Sequence, residues 1–204
     1  MRKHNQIEKS PGAFSQQRQK KLTSATINRH NNTSDWSRNK TGRALIQALP
    51  SVIPIEKSVI DLGAGDGVFL RSLRDLGYNI TGLDGSLNID KITGGLVQWA
   101  DLTGDCSVHY GSADWGLFIE VGEHVPKEYE QALFDQVSRI PLEGLVVSWA
   151  GVNQTGWHHV NCQGFQYVAC EFFRRGWIMD AESTKMIRCF GRKHNRNSRF
   201  VLRR

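Results

Sequence analysis

"VIDLGAGDG", residues 59–67, decides how this chain is read. A short apolar run ends in glycines spaced G-x-G-x-G, at Gly63, Gly65 and Gly67. An amphipathic stretch, "GVFLRSLRDLG", follows at once, with Phe69, Leu70, Leu73 and Leu76 on one face. A buried strand that passes into a helix through bare glycines makes a tight turn, and the missing Cβ atoms let another molecule lie against the backbone. The dinucleotide fingerprint G-x-G-x-x-G is not met, and no Gly-Lys-Ser/Thr is present to hold a triphosphate.

Outward from this turn, strand-like and helix-like segments alternate. "YNITGLD" (78–84), "GGLVQWADL" (94–102), "WGLFIEV" (115–121) and "GLVVSWA" (144–150) read as strands, while "KEYEQALFDQVSRI" (127–140) and "FQYVACEFFRRG" (165–176) read as helices. The last two segments, "STKMIRCFG" (183–191) and "SRFVLRR" (198–204), are rich in β-formers and read as a closing hairpin. Between the third and fourth strands, "TGDCSVHYGSAD" (103–114) is too short and polar for a good helix, so one crossover is trimmed. Alternation with nearly all-apolar strands predicts an α/β fold: a Rossmann-like seven-stranded, mostly parallel sheet with a C-terminal antiparallel hairpin and helices on both faces.

The ends differ from the body. Residues 1–44 carry 10 Lys+Arg against 2 acids, residues 45–184 carry 8 against 18, and residues 185–204 carry 8 against none. Two basic ends on an acidic body suit contact with RNA or another polyanion, because each cation placed on a phosphate releases a counterion; charged tails also serve solubility. Residues 1–40 are polar and poor in aliphatics, which predicts a basic, flexible arm ahead of a single domain over 41–204; Trp36 is the one arm residue that calls for a docking place. In "NKTGRALIQALP", Ala44, Leu45, Ala48 and Leu49 have helical spacing up to Pro50. No apolar run reaches membrane-spanning length and the N-terminus has no signal-peptide pattern, so a cytoplasmic protein is expected. Cys106, Cys162, Cys170 and Cys189 show no Cys-x-x-Cys spacing and read as reduced thiols.

Acids close the first three strands. Asp61 precedes the glycines, Asp84 ends the second strand where it can accept both hydroxyls of a ribose, and Asp101 ends the third, placed to meet an adenine amino group. With "DLGAGDG" this arrangement resembles the class I S-adenosylmethionine-dependent methyltransferases over roughly residues 41–204. The resemblance implies S-adenosyl-L-methionine as cofactor, held by Asp61, Gly63, Gly65, Asp84 and Asp101.

In an open parallel sheet, ligands bind beyond the carboxyl ends of the strands, and "FIEVGEHVP" (118–126) puts Glu120, Glu123 and His124 at the end of the fourth. "AGVNQTGWHHVN" (150–161) brings His158 and His159 to the same edge after the fifth. Read alone, Glu123 could cap the next helix. The pattern Glu-x-x-Glu-His with a later His is similar to the metal site of the small-RNA 3′-end 2′-O-methyltransferases and of the ubiquinone-pathway O-methyltransferases. That similarity implies a divalent ion (Mg²⁺, Mn²⁺, Fe²⁺ or Zn²⁺) on Glu120, Glu123, His124 and one of the two later histidines, His159 being preferred as the one at the far end of the loop. It would grip neighbouring hydroxyls of the acceptor and lower the pKa of one. Without a metal, one of the imidazoles would serve as general base.

The expectation is thus an O-methyltransferase acting on an RNA end or a small sugar or polyol, with Glu123, His124 and His159 in catalysis. Trp149 and Trp157 are placed either to stack on a flat acceptor or to fill the core. The competing expectation is a nucleic-acid-binding protein on the same fold with weak or no catalysis.

Overall fold

A computed structural model describes residues 40–104, 111–190 and 198–204 of the chain. Trp36, Cys106, the expected arm up to residue 39 and the middle of the trimmed crossover (105–110) lie outside the described residues.

Helix α1 (Lys40–Ala48) runs into a 3-10 turn at Leu49–Ser51, where Pro50 stops it. Strand β1 (Val59–Leu62) and helix α2 (Val68–Asp75) flank the glycine turn. They are followed by β2 (Ile80–Asp84), the one-turn α3 (Ile89–Ile92), β3 (Gln98–Trp99) and β4 (Ala113–Ile119). Next come α4 (Glu130–Arg139), β5 (Pro141–Ser148), α5 (Phe165–Phe173), β6 (Ile178–Asp180), α6 (Ala181–Cys189) and β7 (Arg199–Arg203).

The strands form one sheet in the order β3-β2-β1-β4-β5-β7-β6. Neighbours from β3 to β5 are parallel, and β7 runs antiparallel to both β5 and β6. Successive side chains of a strand point to opposite faces, so an all-apolar strand must be covered on both. Val59, Val146 and Val201 pack with Leu45 of α1, Leu70 of α2 and Ile187 of α6. Their neighbours Ile60, Val147 and Phe200 pack on the other face with Phe134 of α4 and Phe172 of α5. At about 25 cal/mol per Å² of apolar surface, these two layers are the main term holding the sheet between its helices.

Two readings are corrected. The closing antiparallel pair is present, but its first strand is Ile178–Asp180, whereas the stretch read as β-rich at 183–191 is mostly helix α6. The cause is a cap: the Asp180 carboxylate accepts hydrogen bonds from Ser183 N at 2.9 Å and Ser183 Oγ at 2.6 Å, which starts a helix where β-branched composition suggested a strand. The third strand shrinks from nine residues to two, because Gly94 and Gly95 both turn with positive φ before it. No helix among the described residues is long and apolar enough to cross a membrane.

Candidate active site

The glycine turn leaves β1 with Gly63, Gly65 and Gly67 at φ of +93°, +55° and +79°, values that favour glycine. They differ in surroundings. A Cβ on Gly63 would stand 2.3 Å from Val121 Cγ2, and one on Gly67 would stand 2.7 Å from Leu96 Cδ2, so both are closed by the fold itself. A Cβ on Gly65 would meet nothing within 4 Å. Gly65 is therefore the place where the turn opens to another molecule.

Asp84 is tied to that position. Its Oδ2 accepts from Gly65 N at 2.8 Å and its Oδ1 from Ser86 N at 2.8 Å, leaving lone pairs on both oxygens for further donors. Ala100 N donates to the Asp84 carbonyl at 3.0 Å, which draws Asp101 alongside; Asp101 Oδ1 accepts from Thr103 N and Oγ1 at 2.9 and 2.7 Å. Asp61, on β1, is buried, and its Oδ2 has no hydrogen-bond partner. Burial, then the charge of Asp84, pushes its pKa up to about 8 from 3.8.

The acid and histidine end lies beyond β4 and β5. Glu120 takes a φ of +55°, unusual for a side chain of its size. It is pinned there by Ser148, the last residue of β5: Glu120 N donates to Ser148 O at 3.2 Å and to Ser148 Oγ at 3.0 Å, while Ser148 Oγ donates to Glu120 Oε1 at 2.7 Å. A 3-10 turn at Gly122–His124 follows, seated against the Trp149 ring, which stands 2.2 Å from where a Gly122 Cβ would be.

Glu123 is 0% exposed, and neither carboxylate oxygen has a hydrogen-bond partner. Burial and then the Glu120 charge push its pKa up to about 9. One ligand atom from each of Glu123, His124 and His159 falls within 4.8 Å of the others. The two rings meet edge to face with centroids 5.1 Å apart. A carbonyl faces Nδ1 of each: His158 O lies 3.2 Å from His124 Nδ1, and Gln154 O lies 3.0 Å from His159 Nδ1. A carbonyl only accepts, so Nδ1 of each ring is the donor in these contacts. A backbone oxygen held at one ring nitrogen fixes how the imidazole is turned.

The structure thus brings together Glu123, His124 and His159, with Glu120 beside them, and separates His158, whose ring is exposed and which contributes its carbonyl. Glu123 caps no helix; the acid at the start of α4 is Glu130. Trp149 is core, stacked on Phe134 with its Nε1 donating to Asn161 O at 2.7 Å. Trp157 is 57% exposed on the loop after β5, with Val152 and Val160 exposed on the same loop. Sequence reasoning passed over Ser148, Glu130 and Asn161. Glu130 had a signal: it shares the i, i+3, i+4, i+7 face of α4 with Leu133, Phe134 and Val137, an acid in a core position.

Comparison with known proteins bears on this geometry. A family model described as a methyltransferase domain matches residues 29–161. The human EEF1A lysine methyltransferase 2 is 43% identical over 47 residues, which are 22% of this chain and 20% of that protein, so the match spans about a fifth of the relative. Among solved structures, magnesium protoporphyrin IX methyltransferase from Synechocystis PCC 6803 with bound SAM aligns with a TM-score of 0.62 at 14% identity, covering 92% of this chain and 94% of that one. The 1,6-didemethyltoxoflavin-N1-methyltransferase of Burkholderia thailandensis, with bound S-adenosylhomocysteine, aligns at 0.61 and 12% identity, covering 95% and 88%. Likeness at such identities speaks for the fold. The family match covers well over half of the chain and includes the glycine turn and both histidines of the cluster, and on that ground the chain belongs to the methyltransferase-domain family.

Proposed function

We propose that this enzyme methylates a hydroxyl, assisted by a divalent ion on Glu123, His124 and His159 with Glu120 as a further oxygen donor, and that its acceptor is an RNA end or a sugar or polyol with neighbouring hydroxyls. The observation that carries the reading is the Glu123 carboxylate, buried to 0% exposure, with both oxygens unpartnered beside two imidazoles. An ionised carboxylate in that position is costly unless a cation meets it. One carboxylate and two imidazoles suit the borderline divalent ions. Such an ion would act as a Lewis acid toward an acceptor hydroxyl.

The residues present also fit the cofactor. Asp61 Oδ2 is a buried acceptor in want of a donor, such as the ammonium of an amino acid moiety. Asp84 keeps lone pairs for ribose hydroxyls, Asp101 stands next to it for adenine, Gly63 shapes the turn, and Gly65 gives open approach to backbone. When bound, the cofactor supplies an electrophilic methyl group. With the ion bound, Glu123, His124 and His159 would have the task of holding it and orienting the acceptor; without it, a ring nitrogen of either imidazole would be the basic atom that takes the acceptor's proton.

For the acceptor, support comes from two sides. Trp157, Val152 and Val160 offer exposed apolar surface on the loop that carries His159, suited to the face of a ring. The basic residues 1–44 and 185–204 suit a phosphate backbone, with residues 1–40 acting as an arm on a catalytic domain over 41–204. The test is methyl transfer from labelled cofactor to a panel of RNAs and polyols, with chelator and then with added divalent ion. Chelation is expected to suppress transfer without displacing cofactor, and add-back to restore it. An undiminished rate in chelator would remove the metal and leave a histidine base.

A further inference from the structure

Asn161, two residues past His159, is buried and has all four of its polar groups engaged. Its backbone N–H donates to the Glu123 carbonyl at 3.0 Å, and its own carbonyl accepts from Trp149 Nε1 at 2.7 Å. Its side-chain Nδ2 donates to Glu130 Oε2 at 2.8 Å, and its Oδ1 accepts from Gln163 Nε2 at 2.6 Å. The Val160 amide adds a second bond to the Glu123 carbonyl, at 2.8 Å. Glu123 therefore meets the loop twice: its side chain belongs to the cluster with His159, and its carbonyl anchors the residues that follow His159.

Behind Asn161 stands Glu130, the first residue of α4, itself fully buried. Its second oxygen is held by Lys127 Nζ at 2.6 Å and by the hydroxyl of Tyr167 on α5. Lys127 Nζ also donates to that hydroxyl at 2.6 Å. A carboxylate fixed on one side by two donors is a rigid acceptor on the other. The result is a chain of bonds from α5 and α4 through Glu130 and Asn161 to the backbone of Glu123.

We infer that Glu130 and Asn161 are positioning residues, a clamp that sets the His159 loop on the Glu123 turn so that the imidazole and carboxylate face one another. The inference deepens the proposed metal site and rests on it. Both residues act on the cluster at one remove, through the Glu123 carbonyl and the loop backbone. A merely structural staple would hold the fold together and leave the site's affinity for a cation untouched.

The experiment separates these with Asn161→Asp and a paired variant. Asn161→Asp sets a carboxylate against that of Glu130. Adding Glu130→Gln restores a hydrogen bond with donor and acceptor exchanged and the same total charge. Three readouts apply to the full chain: Mn²⁺ or Zn²⁺ affinity and cofactor affinity by calorimetry, and hydrogen exchange of the residue 160 and 161 amides. The single variant is expected to weaken ion binding about 10–100-fold, the usual cost of losing an outer partner, to leave cofactor affinity unchanged and to speed exchange at both amides. The double variant is expected to recover ion affinity and slow exchange. Wild-type ion affinity in Asn161→Asp, or ion and cofactor affinity lost together, would overturn the clamp, as would a double variant that recovers nothing. If Asn161→Asp does not fold, Glu130→Gln alone carries the same test with a smaller loss of ion affinity expected. A wild-type chain that binds no divalent ion would sink the metal site, while the two amides still judge the clamp.

Discussion

Val121 lies over Gly63, with its Cγ2 filling the space 2.3 Å from where a Cβ on that glycine would stand. The turn after β4 therefore rests directly on the turn after β1, and Gly63 answers to packing before it answers to any ligand. Gly63→Ala should lose about 2–4 kcal/mol, from overpacking and a positive φ together. Gly65→Leu meets open space, so it should lose only the cost of its φ, about 1–2 kcal/mol, yet weaken cofactor binding about tenfold or more. Thermal melts and calorimetry on the two variants check this; Gly65→Leu binding cofactor like wild type would move the cofactor away from the turn.

Asp61 gives a stability change with a definite sign. Its folded pKa of about 8 lies above its ordinary 3.8, so between those values the folded chain keeps a proton that the unfolded chain has released. Stability of the ligand-free protein should fall as pH rises through that window. Asp61→Asn, which has no charge to bury, should match wild type near pH 4 and exceed it by a few kcal/mol near pH 8. Equal melting temperatures at both pH values would contradict the burial of an ionisable oxygen there.

Two adjacent histidines should behave differently. His158→Gly keeps its φ of +56° and its carbonyl toward His124, so Mn²⁺ or Zn²⁺ affinity should stay near wild type. His159→Ala removes a ligand atom and should cost more than the 10–100-fold typical of an outer partner. Titration of each variant by calorimetry decides. The reverse ranking would put His158 in the cluster.

The basic ends predict salt dependence. If residues 1–44 and 185–204 meet phosphates, RNA affinity should fall linearly with log salt, and deleting residues 1–40 should flatten the slope by about 0.7–0.9 for each phosphate that the arm neutralises. Filter binding across a salt series measures it. An unchanged slope would leave the arm a solubilising tail.

Much of the fold was legible because β1, β4 and β5 are apolar on both faces and α2, α4 and α5 follow with helical spacing. The end of the chain was not. Ile178 and Met179 are 64% and 44% exposed on an edge strand, so β6 has no buried pattern to read, and α6 buries Ser183 and Thr184 beside Ile187 rather than a row of aliphatics. In the candidate site, residue types and strand ends sufficed to nominate Glu123, His124 and His159. What local sequence cannot carry is which oxygen faces which nitrogen: the Gln154 and His158 carbonyls that orient the rings are backbone atoms, invisible to residue identity. Asn161 was equally hidden, since its role depends on partners 12, 31 and 38 positions away.

The reversal of strand order between β1 and β4 has a consequence for how such a chain can change. The residues proposed for the methyl donor lie at or just past the ends of β1, β2 and β3, and those proposed for the acceptor lie past β4 and β5, on opposite sides of that boundary. On those proposed roles, donor and acceptor recognition would be written in separate stretches of the gene. Recombination or loop grafting downstream of Val121 would then exchange one acceptor for another while the donor half is inherited intact, with the Val121 contact on Gly63 as the junction that such a chimera would have to preserve.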